Sequence, residues 1–304
     1  MPESHRAAHL AQAARDRHVH HLRNGLQMLS SPGYRTPDAV GNLRWTEDLL
    51  LSTWEQAATG RPPLSGREYR TGRSGGGFDR MRFIFEPEAR AAHGSGKLIT
   101  GDIDLSIPLN RRGSGVELTI PIPIYGAGFS FGSVSLRVMQ ARAIAAEELG
   151  TYTSTGEGGY PPPLATHKSS IITQVATGLF GVREETIQWA PIVELKYAQG
   201  AKPGLGGHLL GNKVTSDVAS MRESVPWVSL FSPFPIHSVY SVEDHRKHVD
   251  WRRPVNPRAL ISVKVSTPVD VDMVAVGIYH AGANIIHLDG SYGGTGAAPE
   301  IAKK

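Results

Sequence analysis

From residue 121 onward, short apolar runs alternate with longer segments whose apolar positions recur every three or four residues. PIPIYGA (121–127) predicts a strand, followed by SVSLRVMQARAIAAEEL, an amphipathic helix that Ser133 or Ser135 can cap and Gly150 can stop. TYTSTG predicts the next strand, while SSIITQVATGLF and the stretch around REETIQWA predict helix. VELKYAQG reads as a third strand, VTSDVASMRES as a helix and VPWVSLFSP as a fourth strand. SVEDHRKHVDW is a helix capped by Ser241, ALISVKV a fifth strand, VDVDMVAVGIYHAG a helix and NIIHLDG a sixth strand. Apolar strands alternating with amphipathic helices predict a parallel sheet covered by helices.

Upstream the pattern changes. Ile103, Leu105 and Ile107 alternate with polar residues, Arg111–Gly115 interrupts, and Val116, Leu118 and Ile120 resume the alternation, which predicts a β-hairpin. Residues 1–100 read as a helical and irregular extension, with helices over 5–30 and 46–59 and Thr46 as a cap; residues 101–304 read as one α/β domain. His18, His20 and His21 invite a metal reading, but no carboxylates recur at ligand spacing, so solvated helix histidines are the simpler account.

An open doubly wound sheet and a (β/α)8 barrel both fit the alternation. Chemically loaded residues close every strand: GFSFGS, TGEGG, QGAK, SPFP, KVS and DG with GGTG. Sites of TIM barrels gather at all the strand C-termini, whereas an open sheet concentrates its site at a switch point. The reading is therefore a TIM-barrel type with about six of the eight strands present. A fragment, strands supplied by another polypeptide, or an unclosed sheet would each explain the shortfall.

Composition narrows the function. Of 304 residues, 40% are hydrophobic and 20% charged, an ordinary globular balance. A net charge of +4 is too small to argue for nucleic acid or a polybasic membrane patch. No apolar run approaches the roughly 20 residues of a membrane helix, and the N-terminus lacks the apolar segment of a secretory signal. Cysteine is absent, which excludes disulfides, a thiolate nucleophile and cysteine-held iron–sulfur clusters, and fits a cytoplasmic setting.

Residues 197–211, YAQGAKPGLGGHLLG, hold Lys202 among five glycines with no acidic residue. Either this is a solvated surface loop, or the glycines let the backbone approach an anion that Lys202 binds.

The strand-end motifs FSFGSVS (129–135), STGEGG (154–159), ITQVATGLFGV (172–182), AQGAKPGLGGHLLGNKV (198–214), SPFPIHSVYSVEDH (232–245), ISVKV (261–265) and GGTGAAP (293–299) resemble, in this order, the FMN-binding synthase domain of glutamate synthases and their stand-alone relatives. GGFDRMRF (76–83) resembles the lead-in of the stand-alone members. The resemblance implies an oxidoreductase of the class acting on CH–NH2 donors. It would reduce the imine formed from a 2-oxoacid such as 2-oxoglutarate and ammonia or an amine, giving an amino acid such as L-glutamate. It implies that Gln199, Lys202 and His208 meet the oxoacid, that Lys202 and Glu157 take part in catalysis with Glu157 as an acid, and that Lys264 lies beside the flavin ring. Ser130, Gly132, Thr155 and Gln174 are implied ring contacts, and Gly293 and Gly294 a backbone nest for an anion. A lysine near the ring suits the charge of a reduced flavin, and a compact cation suits a carboxylate.

The sequence departs from the glutamate-forming pattern at Leu205, His208 and Ser238, which leaves the oxoacid and amine donor open. The resemblance places the family's 3Fe–4S cysteines and the phosphate-binding seventh and eighth strands beyond residue 304, so amidotransferase and electron-donor subunits are expected partners. A non-catalytic remnant or scaffold subunit binding a partner chain is the alternative. Flavin barrels of the glycolate-oxidase or isomerase type fit AQGAKPG and TGEGG poorly.

Overall fold

The computed structural model describes residues 56–61, 103–233, 236, 238–267, 269–290 and 295. The helix read over 5–30, most of that over 46–59, the three N-terminal histidines, GGFDRMRF, Gly293 and Gly294 lie outside these residues; 56–59 are helical. The chain divides into Met1–Lys97 and Leu98–Lys304, and the second unit carries the fold described below.

β1 (Ile107–Pro108) pairs antiparallel with β2 (Thr119–Ile120). Helix α1 (Leu136–Glu148) follows; Ser135 accepts a hydrogen bond from the Val138 N–H, and Gly150, at φ +64°, takes the left-handed turn after the C-cap. Then come β3 (Thr153–Ser154), β4 (Ile171–Ala176), α2 (Glu184–Trp189) and β5 (Ile192–Lys196). An excursion leaves the sheet through β6 (His208–Leu209), α3 (Ser216–Arg222) and β7 (Leu230–Phe231). Helix α4 (Val242–Val255), capped by Ser241, then leads to β8 (Leu260–Ser266), α5 (Val271–Ala281) and β9 (Ile285–Asp289).

The architecture is mixed α/β, with a five-stranded parallel sheet in the order β3-β4-β5-β8-β9. Each strand lies beside its successor, without the reversal that marks a doubly wound sheet.

Three predicted elements change. PIPIYGA forms only a parallel bridge from Gly126 to Thr153, because Pro121 and Pro123 lack the N–H a ladder needs. SSIITQVATGLF is not a helix: Ile171–Ala176 is a strand buried at all six positions. Ile171, Ile172, Thr173 and Val175 are β-branched, which favours a pleated strand over a helix. VPWVSLFSP contributes only Leu230 and Phe231, paired antiparallel with β6 outside the parallel sheet.

The sheet's two faces differ. Toward the helices, Val175, Val193, Leu195, Ile261 and Val263 pack with Val249 of α4 and Ile278 of α5, all buried. Asn256, after α4, donates through Nδ2 to the carbonyls of Ile187, Gln188 and Ala190, fastening that end of α4 to α2. The other face is graded. At its N-terminal end Ile172, Ile192 and Leu260 pack against Leu109, Val116 and Leu118 from the hairpin segment. One layer on, Gln174, Glu194 and Ser262 stand in register, and one further, Lys196, Lys264 and His287. The face thus runs from an apolar floor to a charged mouth at the strand C-termini.

Candidate functional site

At that charged mouth lies a cleft of about 490 Å³, within the size range of small-molecule sites. Ser130, Gly132, Glu157, Gln174, Gln199, Lys202, His208 and Lys264 all line it. The alternation of β5 sends Glu194 and Lys196 to the inner face, and Lys196 reaches the cleft. Its Nζ donates to Glu157 Oε2 at 2.9 Å and to Gln199 Oε1 at 2.6 Å. Lys264 Nζ meets Asp289 Oδ2 at 3.1 Å, and the same oxygen accepts the Gly200 N–H at 3.0 Å. Asp289 therefore holds both Lys264 and the loop that carries Gln199 and Lys202.

In that loop Pro203 and Gly204 are exposed, but the lysine is not. Lys202 is 2% exposed. Close approach explains the glycines: a Cβ on Gly200 would stand 1.8 Å from the Gly290 carbonyl oxygen, and one on Gly207 1.9 Å from Glu157 Oε1. His208 sits with Nε2 against the Leu205 carbonyl and its ring edge on Phe231 at 5.2 Å between centroids. On the opposite wall Gly132, at φ +94°, lets the 128–133 turn pack on α3, where a Cβ would stand 2.9 Å from Val218 Cγ2.

Arg222, the last residue of α3, also lines the cleft; it is 5% exposed, and among the described residues its Nε has no hydrogen-bond partner. Among the described residues, the lining carries Lys196, Lys202, Arg222 and Lys264 together with Glu157 and Asp289. Burial pushes the Glu157 carboxyl up, but the Lys196 ammonium, its hydrogen bond and the charges of Arg222 and Lys202 overcome this and hold it below the usual range. Burial lowers Lys202, with Glu157 opposing and Lys196, Arg222 and Lys213 reinforcing.

Two comparisons bear on this geometry. The conserved region in glutamate synthase matches residues 105–304, which contain every cleft residue named above. The chain belongs to the glutamate synthase family. It is similar to an archaeal-type glutamate synthase (NADPH) of Dehalococcoides mccartyi, 33% identical over 86% of this chain and 55% of that protein. It is also similar to an archaeal glutamate synthase (NADPH) of Methanocaldococcus jannaschii, 40% identical over 61% of this chain and 36% of the relative. The glutamate synthase (NADPH) large chain of Bacillus subtilis is 41% identical over 58% of this chain and 12% of its own length. The chain thus spans about half or less of the curated relatives it matches.

Thr155 does not line the cleft: past β3 the chain turns at Gly156, φ +67°, and Thr155 faces a small void toward Met139 and Leu164, its hydroxyl donating to the Gly156 carbonyl. Gly293 and Gly294 lie outside the described residues.

Sequence reasoning missed Lys196, Asp289, Glu194 and Arg222. The first three had a signal: charged residues at alternate positions in strands otherwise apolar. Arg222 had none, since an arginine ending a helix reads as a solvated C-terminal cation. Among the described residues no group of three or more metal-ligating side chains could hold a metal ion, and no helix is long and apolar enough to cross a membrane.

Proposed function

We propose that this chain is the synthase part of an FMN-dependent oxidoreductase, its sheet part of a (β/α)8 barrel, that reduces the imine of a 2-oxoacid of the 2-oxoglutarate class to an amino acid such as L-glutamate. The observation that carries the reading is the Nε of Arg222, which has no hydrogen-bond partner among the described residues and stands in a cleft that Gln199, Lys202 and Lys264 also line. A dicarboxylate acid brings negative charge to such a wall. A buried guanidinium nitrogen without a partner is costly until an anion supplies one.

The donor set suits the ring of a flavin. Gln174 offers an amide, and Lys264 a buried ammonium fixed by Asp289. When bound, FMN supplies the hydride. The residues do the rest. Lys202 and Arg222 bind the acid by its carboxylates, and Gln199, held by Lys196, orients it. Burial weakens the Lys196 ammonium's hold on its proton, against the pull of Glu157, so the cleft keeps a proton near the reacting nitrogen. Condensation of oxoacid with ammonia releases water; hydride and one proton then convert imine to amine.

A second reading has one observation in its favour. Ile286 and Leu288 on the outer face of β9 are 37% and 47% exposed, as a surface that packs against further chain would be. In that reading the protein is a scaffold for a partner polypeptide.

The absorption spectrum of the purified protein with FMN, followed by assay with 2-oxoglutarate, ammonium and chemically reduced flavin, separates the two. Glutamate formation is expected, and Lys202→Ala should raise the apparent KM for the oxoacid at least tenfold with flavin still bound. A colourless protein that ignores FMN supports the scaffold; unchanged oxoacid kinetics remove Lys202 from the site.

A further inference from the structure

Below the cleft, Glu194 is the hub of a buried polar layer. It is 1% exposed, at the middle of β5. Three elements donate to it: Gln174 Nε2 on β4 at 2.7 Å, Ser262 Oγ on β8 at 3.2 Å, and His287 Nδ1 on β9 at 2.8 Å. Burial pushes its carboxyl up, but the hydrogen bond and charge of His287, the Gln174 bond and the charge of Lys264 hold it below the usual range. Donors from three strands on its two oxygens suit an ionised carboxylate, which only accepts hydrogen bonds.

That restriction decides which way Gln174 faces. Toward Glu194 the amide must present its NH2, so its carbonyl oxygen is left to take another donor, and Gln174 lines the cleft. Among the described residues nothing donates to that oxygen. Were position 194 a neutral amide, the pair could bond in either sense and the polarity at the cleft would no longer be fixed.

We propose that Glu194 is a positioning residue that locks the Gln174 carbonyl oxygen as an acceptor in the cleft wall, set to take a ring N–H of the bound ligand. This rests on the flavin reading above, which supplies such a donor in the ring imide. The carboxylate never touches the ligand; it acts through Gln174.

The test titrates full-length protein with FMN and with FMN methylated at the ring imide nitrogen, followed by flavin fluorescence. Wild type should bind the methylated flavin at least tenfold more weakly. Glu194→Gln should lower that ratio to about threefold or less, because a free amide can turn. Glu194→Asp, which keeps the charge but falls short of Gln174, should do the same and serves if Glu194→Gln does not fold. Thermal melting confirms that each variant measured is folded. A ratio unchanged in the folded variants overturns the proposal, since a merely structural carboxylate, or a steric clash with the methyl group, would leave it intact. Wild type that binds neither flavin overturns the flavin reading and this proposal with it, whereas wild type that binds both equally overturns this proposal alone.

Discussion

Lys196 and Lys264 occupy the same register position on neighbouring parallel strands, yet each is turned to its own carboxylate: Lys196 to Glu157 at 2.9 Å and Lys264 to Asp289 at 3.1 Å. Two ammonium groups side by side on one buried face would repel. Separate partners, one on the turn after β3 and one at the end of β9, relieve that repulsion and tie each lysine's strand to another stretch of chain.

Lys196→Met should therefore destabilise the fold more than its volume suggests. The substitution leaves the Glu157 carboxylate, whose side chain is 12% exposed, without its nearest cation. Breaking a buried pair costs about 3–5 kcal/mol; Lys202 and Arg222, which also act on Glu157, should hold the loss to the lower end. Urea unfolding measures it. Adding Glu157→Gln should recover much of the loss; a double variant as unstable as the sum of the two singles would show that the two residues act independently.

Acid should loosen this protein through two identifiable groups. Glu157 and Glu194 both sit below the ordinary glutamate value of 4.5 in the folded state. Their ionised forms therefore stabilise the fold fully above that value, and the contribution fades as pH falls through their folded values. Urea midpoints should decline below about pH 5, with Glu157→Gln and Glu194→Gln each flattening the decline. A decline equally steep in both variants would assign it to other carboxylates.

Much of this is legible in the sequence, for definite reasons. α1, α4, α5, β5, β8 and β9 carry strong periodicity and local signals such as the Ser135 and Ser241 caps, so pattern alone places them. Ile171–Ala176 misleads because IITQVA lacks the apolar–polar alternation that VELK and ISVKV keep, and only its β-branched content separates it from a helix. Leu230–Phe231 misleads the other way: its apolar run reads as a sheet strand, although it pairs only with His208–Leu209. At the site, the cleft gathers residues from motifs far apart in sequence, which the order of the motifs anticipates. The pairing of Lys196 with Glu157 is not legible, because it depends on the register between strands and on the turn at Gly156.

The glycines around Lys202 should prove unequal. Gly204, at φ +78°, has open space within 4 Å of where a Cβ would stand, so Gly204→Ala bears only the left-handed backbone penalty of about 1–2 kcal/mol. Gly200 has no positive φ, but its Cβ would meet the Gly290 carbonyl at 1.8 Å, and backbone cannot swing aside as a side chain can. Gly200→Ala must push the loop off β9, breaking the hydrogen bond from its N–H to Asp289 and displacing Gln199 and Lys202. The expected cost is about 3 kcal/mol or more by overpacking, with oxoacid affinity falling in Gly200→Ala and little changed in Gly204→Ala. Urea unfolding and oxoacid titration of the two variants check both parts. Equal effects at the two positions would mean that the loop needs its glycines for flexibility alone, and not for the contact that keeps Lys202 facing the cleft.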